Sequence, residues 1–105
     1  LPFPGILEIV KSWHRILKKG GGLIMEMPDF DKVLKRACKN PNSDELLKWI
    51  FGTQDRIGQT HHWGWNRKRL RKLLKEVGFK KIIFGKAQDY HEQEFGLCLR
   101  VEATK

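Results

Sequence analysis

Residues 13–31 read WHRILKKGGGLIMEMPDFD, and the fold turns on how this stretch changes character. Lys18 and Lys19 put positive charge at the end of an amphipathic helix, and Gly20, Gly21 and Gly22 supply the positive-φ conformations by which a chain leaves one. The five residues 23–27 follow, with Leu23, Ile24, Met25 and Met27 apolar and no strict alternation. This suits a short strand covered on both faces of a sheet. Pro28 bars its continuation. Helix, glycine turn, strand and polar exit make half of a βαβ unit, and ligands of open α/β sheets bind beyond the carboxyl ends of strands. Pro28, Asp29, Phe30 and Asp31 lie at that end.

Upstream, Pro4 opens a helix whose apolar positions Ile6, Ile9, Val10, Trp13 and Leu17 follow helical spacing. Downstream, Phe30, Val33, Leu34, Ala37 and Cys38 repeat that spacing until Asn40-Pro41 ends it. Ser43 caps a short helix through Leu46, Leu47, Ile50 and Phe51, with Asp44 and Glu45 in its first turn. Residues 52–65, GTQDRIGQTHHWGW, have no sustained period and read as a long loop. Asn66 caps a helix with the stripe Leu70, Leu73, Leu74 and Val77, which Gly78 closes. Residues 81–85 form a second strand, 86–94 a polar turn, and 95–103 a third strand with Phe95, Leu97, Leu99, Val101 and Ala103 on one face. The last two strands make a hairpin. The expected architecture is α/β: about four helices on a small mixed sheet of three strands.

A chain of 105 residues makes one domain of modest stability. With 21 basic residues against 12 acidic, a net +9, it favours anionic partners. Cys38 and Cys98 lie far apart, outside any C-x-x-C, and read as buried thiols of a reducing cytoplasm rather than as a disulfide framework. No apolar run approaches the roughly 18–20 residues of a membrane span, and no signal peptide is visible, so a cytoplasmic, membrane-free protein is expected. The opening Leu1-Pro2-Phe3-Pro4 reads like the interior of a longer protein.

The words of the chain, taken in order, resemble a known family. WHRILKKGGGLIMEMPDFD is similar to the R-x-L-K-P-G-G segment and following strand of class I S-adenosylmethionine-dependent methyltransferases of the type 11 kind. Ile50-Phe51-Gly52-x-Gln54, His62-x-Gly64-Trp65, Leu70-x-x-Leu73-Leu74-x-x-x-Gly78-Phe79 and Leu99-Arg100-Val101-Glu102-Ala103 match later pieces in the same order. Lys19 stands where that first word has proline, and Gly22 is an additional glycine.

The resemblance implies the C-terminal half of a Rossmann-like sheet, in the order first, third, second strand, with the third antiparallel in the middle. It implies a substrate-side half. The family's glycine-rich cofactor loop and ribose-binding acid would precede Leu1, and nothing in these 105 residues matches them. S-adenosylmethionine belongs to the complete family enzyme, and none is expected on this chain alone. Deprived of a neighbour, the strand of residues 23–27 would expose an apolar edge, and a homodimer or higher oligomer is expected to cover it.

The candidate substrate contacts are Asp29, Gln54, His61 and His62. A carboxylate at a strand end can orient a nucleophile, and imidazoles can stack or move protons; Asp29 also stands where a helix cap belongs. No ligand spacing accompanies the histidines, so no metal site is expected. Glu26, inside an apolar strand, needs a partner or an outlet to solvent. Arg67, Lys68, Arg69 and Arg71, followed by Lys72 and Lys75, form a basic helix face, which solvent ordinarily covers; weak, salt-sensitive nucleic-acid binding is its functional alternative.

Overall fold

A computed structural model describes residues 3–51, 64–88 and 96–105. Its elements are α1 (Phe3–Ile16), β1 (Gly22–Pro28), α2 (Phe30–Lys39), α3 (Asp44–Phe51), α4 (Arg67–Val77), β2 (Lys81–Gly85) and β3 (Cys98–Thr104). The boundaries follow local chemistry. The Ser43 hydroxyl accepts from the Leu46 amide, the Asn66 side chain accepts from the Arg69 amide, and Gly78 ends α4 in the left-handed region at φ 119°.

The strands form one sheet in the order β1-β3-β2, with β3 antiparallel to both neighbours. The expected order is present, but the expected mixed sheet is corrected. β1 and β2 run the same way and each pairs with β3, so both ladders among the described residues are antiparallel. The glycine turn before β1 is tied to the residue after β3: Gly20 donates to the Lys105 carbonyl at 3.1 Å, and Lys105 donates back to Gly21 at 2.9 Å. Gly20 needs its freedom, at φ 83°. The Lys105 ammonium also reaches the carbonyls of Arg15 and Leu17, at 3.2 and 2.7 Å, meeting acceptors that α1 leaves at its C-terminus.

Ile6 and Val10 of α1, Leu70, Leu73 and Leu74 of α4, and Leu99, Val101 and Ala103 of β3 bury one another, with Leu23, Met25 and Met27 packed alongside. α1 and α4 thus cover the same face of the sheet. The opposite face carries Ile24, Glu26, Ile83, Arg100 and Glu102. Across β3's Glu102 lie Ile24 and Ile83, 57% and 48% exposed. Among the described residues this departs from the expectation of a first strand covered on both faces: Ile24, apolar within the run 23–27, lies among side chains that no described helix covers.

A smaller cluster of Val33, Leu46 and Leu97 joins α2, α3 and the approach to β3. Here the expected stripe on α2 narrows. Val33 is buried and Ala37 packs against it, whereas Leu34 and Cys38 are exposed. Cys38 sits one residue around the helix from Ala37 and misses that contact, so of the two thiols expected to be buried only Cys98 is.

Among the described residues, β1 pairs with β3 alone. The ladder continues at both ends, with Asp29 donating to Leu97 and Lys105 donating to Gly21. By antiparallel alternation, Leu23, Met25 and Met27 aim their backbone groups at β3, and Gly22 and Ile24 aim theirs at the edge. No helix among the described residues is long and apolar enough to cross a membrane.

Candidate functional site

The C-terminal end of β1 gathers pieces of chain that are far apart in sequence. Asp29 leaves the strand with extended backbone (φ −89°, ψ 106°), and its Oδ1 accepts the Asp31 amide at 3.1 Å, capping α2. It is 4% exposed, its own amide donates to Leu97 at 2.7 Å, and its carbonyl accepts from Val33 at 3.0 Å. The Lys32 ammonium crosses to the Cys98 carbonyl at 3.1 Å.

The segment leading into α4 docks onto this same end. The Trp65 carbonyl accepts the Phe30 amide at 2.8 Å. Asn66 uses both ends of its amide: Oδ1 caps α4 by accepting from Arg69 at 2.8 Å, and Nδ2 donates to Asp31 Oδ1 at 3.1 Å. The first turns of α2 and α4 are thereby linked through one side chain. Gly64 lies against the Phe30 ring so closely that a Cβ would come within 2.6 Å of Phe30 Cγ.

The structure thus brings Asp29 together with residues 64–66, immediately after the candidate histidines. Gln54, His61 and His62 lie outside the described residues. Trp65 packs against the main core. Reasoning from sequence missed the bridging Asn66 and the tethering Lys32. The P-D-F-D and H-x-G-W words begin 34 residues apart, at Pro28 and His62, and nothing local announces that they meet; the glycine of the second word was the one available signal of a close approach.

Asp29 is accounted for as a helix cap. Asp29→Ala is expected to cost about 0.5–2 kcal/mol of stability, and Asp29→Asn much less, because asparagine caps as well. Thermal melts of the two variants check this. Equal losses would mean that the charge, rather than the cap, matters.

On the open face, Arg100 Nη1 lies 2.6 Å from Glu26 Oε2 and its Nη2 lies 3.3 Å from Glu102, while the Gln88 amide donates to Glu26 at 2.9 Å. Glu26 is therefore partnered, and it fastens β1 to β3 and to the segment after β2. The hydrogen bond to Glu26 is the main cause that raises the Arg100 pKa above its ordinary value, with lost hydration opposing it. A raised cationic pKa means that this contribution, made with the ionised Glu26 carboxylate, is present at neutral pH and is lost as the solution becomes strongly alkaline.

The basic residues of α4 lie away from the core stripe. Arg67, Lys68, Arg69 and Arg71 are all exposed, and the guanidinium carbons of Arg67 and Arg71 sit 5.7 and 5.1 Å from the centroid of the Phe84 ring of β2.

The glycine turn does not fit a nucleotide-bearing cofactor. Its Gly20 and Gly21 amides already donate to the Lys105 and Lys18 carbonyls, and it lies at the end of β1 opposite Asp29. Among the described residues, no group of three His, Cys, Asp or Glu side chains could hold a metal ion. Compared with protein-family models, curated proteins and solved structures, the chain finds no match.

Proposed function

We propose that this chain is the substrate-side part of a class I S-adenosylmethionine-dependent methyltransferase-like fold, with the cofactor held by strands outside these 105 residues. The observation that carries the reading is the sheet order: the last strand lies antiparallel between the other two, as the resemblance implies. The backbone groups of Gly22 and Ile24 at the β1 edge give cofactor-side strands a place to add. In the chain alone, a second copy would serve the same edge.

In this reading the site lies beyond β1, where Asp29, residues 64–66 and the approach to β3 converge. Methyl transfer asks chiefly for alignment of donor and acceptor. The docking of two helix starts on one strand end supplies a rigid wall for the acceptor. Gln54, His61 and His62 are the side chains assigned to touch it.

Calorimetric titration of the chain with S-adenosylmethionine tests the proposal. No binding at micromolar ligand is expected, and methyl transfer should require a separately supplied cofactor-binding half. Micromolar binding by the chain alone would overturn the division of labour. Light scattering at high concentration tests the edge: mass above one copy is expected, and a monomer would remove self-pairing from the account.

A further inference from the structure

The geometry points to a second surface, independent of the methyltransferase reading: α4 and the start of β2 form a binding face for the phosphodiester backbone of a nucleic-acid duplex. The fifteen residues 67–81 hold eight basic side chains against one acidic, Glu76, a surplus of seven out of the chain's net +9. Charge that could have been spread over the molecule is gathered on one helix and the strand after it. The apolar stripe Leu70, Leu73 and Leu74 is buried, and Arg67, Lys68, Arg71, Lys72 and Lys75 are exposed. Among the described residues, no carboxylate pairs with any of these five.

This placement does not serve the helix. The positive end of the helix dipole lies at the N-terminus, where acidic side chains stabilise and basic ones oppose it. α2 has Asp31 in its first turn and α3 has Asp44 and Glu45, but α4 has no acid there and begins Arg67-Lys68-Arg69. α1 likewise has no acid in its first turn, so two of the four helices follow the electrostatic rule, one is neutral there, and α4 inverts it. In the field of the helix itself the inversion is unfavourable, whereas an external polyanion would offset it.

Arg67 and Arg71 are also held in advance. They lie one helical turn apart, about 6 Å along the axis, and both guanidiniums stand over the Phe84 ring. Resting on a ring restricts two long side chains before any ligand arrives, which lowers the entropy lost on binding. Guanidiniums also match phosphate oxygens in paired hydrogen bonds.

The choice of a duplex follows from what surrounds the charges. A helix that binds lipid buries its apolar face in the membrane, and that of α4 is already in the protein core. Single strands are held by bases stacked on exposed aromatic rings. Among the described residues beside these charges, Phe84 carries two guanidiniums and Trp65 packs against the core, so neither offers a free ring. A duplex backbone needs only a rigid row of cations, and binding would be insensitive to sequence.

Fluorescence anisotropy of the full chain with a labelled duplex of about 20 base pairs, from about 50 to about 200 mM salt, tests the proposal. Four or five phosphate contacts predict a log–log salt slope near about −4. Neutralising Lys68, Lys72 and Lys75 to Gln should weaken binding at least about tenfold at low salt and flatten the slope by about 2–3. The same charge removed from α2 and α3, as Lys35→Gln, Lys39→Gln and Lys48→Gln, should change binding less than about twofold if the face is local. Lys68→Glu guards against unfolding as the cause: relieved of first-turn repulsion, it should melt at or above the wild-type temperature while binding less. The proposal is overturned by no binding at the lowest salt, by equal losses in the two triple variants, by wild-type binding of Lys68→Glu, by tighter binding of the matching single strand, or by anionic vesicles competing as well as the duplex.

Discussion

Leu99→Ala is expected to remove about 2–5 kcal/mol of folding stability, from a domain whose total lies in the range of about 5–15 kcal/mol. Leu99 is fully buried in β3, paired opposite Met27 and enclosed by the residues that α1 and α4 contribute. Truncation there loses the transfer free energy of the side chain and leaves a cavity that two helices and three strands must collapse to fill. Urea denaturation followed by tryptophan fluorescence reads the loss as a lower midpoint with an unchanged slope. Ile24→Ala and Ile83→Ala, on the open face, should stay within about 0.5 kcal/mol. Equal costs on the two faces would mean that the sheet is not one-sided. A cost at Ile24 that grows with protein concentration would instead point to a partner on that face or edge.

The second large effect is expected at Gly64. An alanine there puts its Cβ 2.6 Å from Phe30 Cγ and 2.8 and 2.9 Å from the two Cδ atoms. Those atoms lie at the root of the ring, so a simple swing of the side chain does not clear them, and overpacking of this kind costs about 1–3 kcal/mol. The loss falls on the joint between α2 and the entry to α4, where Phe30 also donates to Trp65. Phe30→Leu should cost stability alone yet recover part of the Gly64→Ala loss in the double variant, a coupling readable in a double-mutant cycle. Strict additivity would show that the ring is not what the glycine accommodates.

Much of the local structure is legible in the sequence because it is decided locally. Asp29, Ser43, Asn66 and Gly78 are placed by cap chemistry alone, and the leucine stripe of α4 by helical period. Burial is less legible, since it depends on what a residue meets from elsewhere in the chain. Ile24 and Cys38 both belong to apolar runs, yet each falls outside the contacts that its element makes. The pairing of Arg67 and Arg71 with Phe84 is invisible in sequence for the same reason, as is the reach of Lys32 to Cys98. Gly20 and Gly21 read correctly as a turn, but Gly22 already belongs to β1, opposite Thr104, and of the three only Gly20 takes a positive φ. Nothing in their neighbourhood foretells that Lys105 closes the turn.

The central place of the last strand also sets an order of events. Glu26 and Arg100 meet across 74 residues, and β1 and β2 each pair with β3. On a ribosome, where chains emerge from the N-terminus and domains fold as units, helices can form as they appear, but the sheet must wait for residues 98–104. Until then β1 lacks the β3 ladder that orders its apolar side chains, a hazard for aggregation that grows with the time spent waiting. Slow translation of the segment between β1 and β3 would prolong that exposure, and a chaperone that holds extended apolar segments would meet its substrate there.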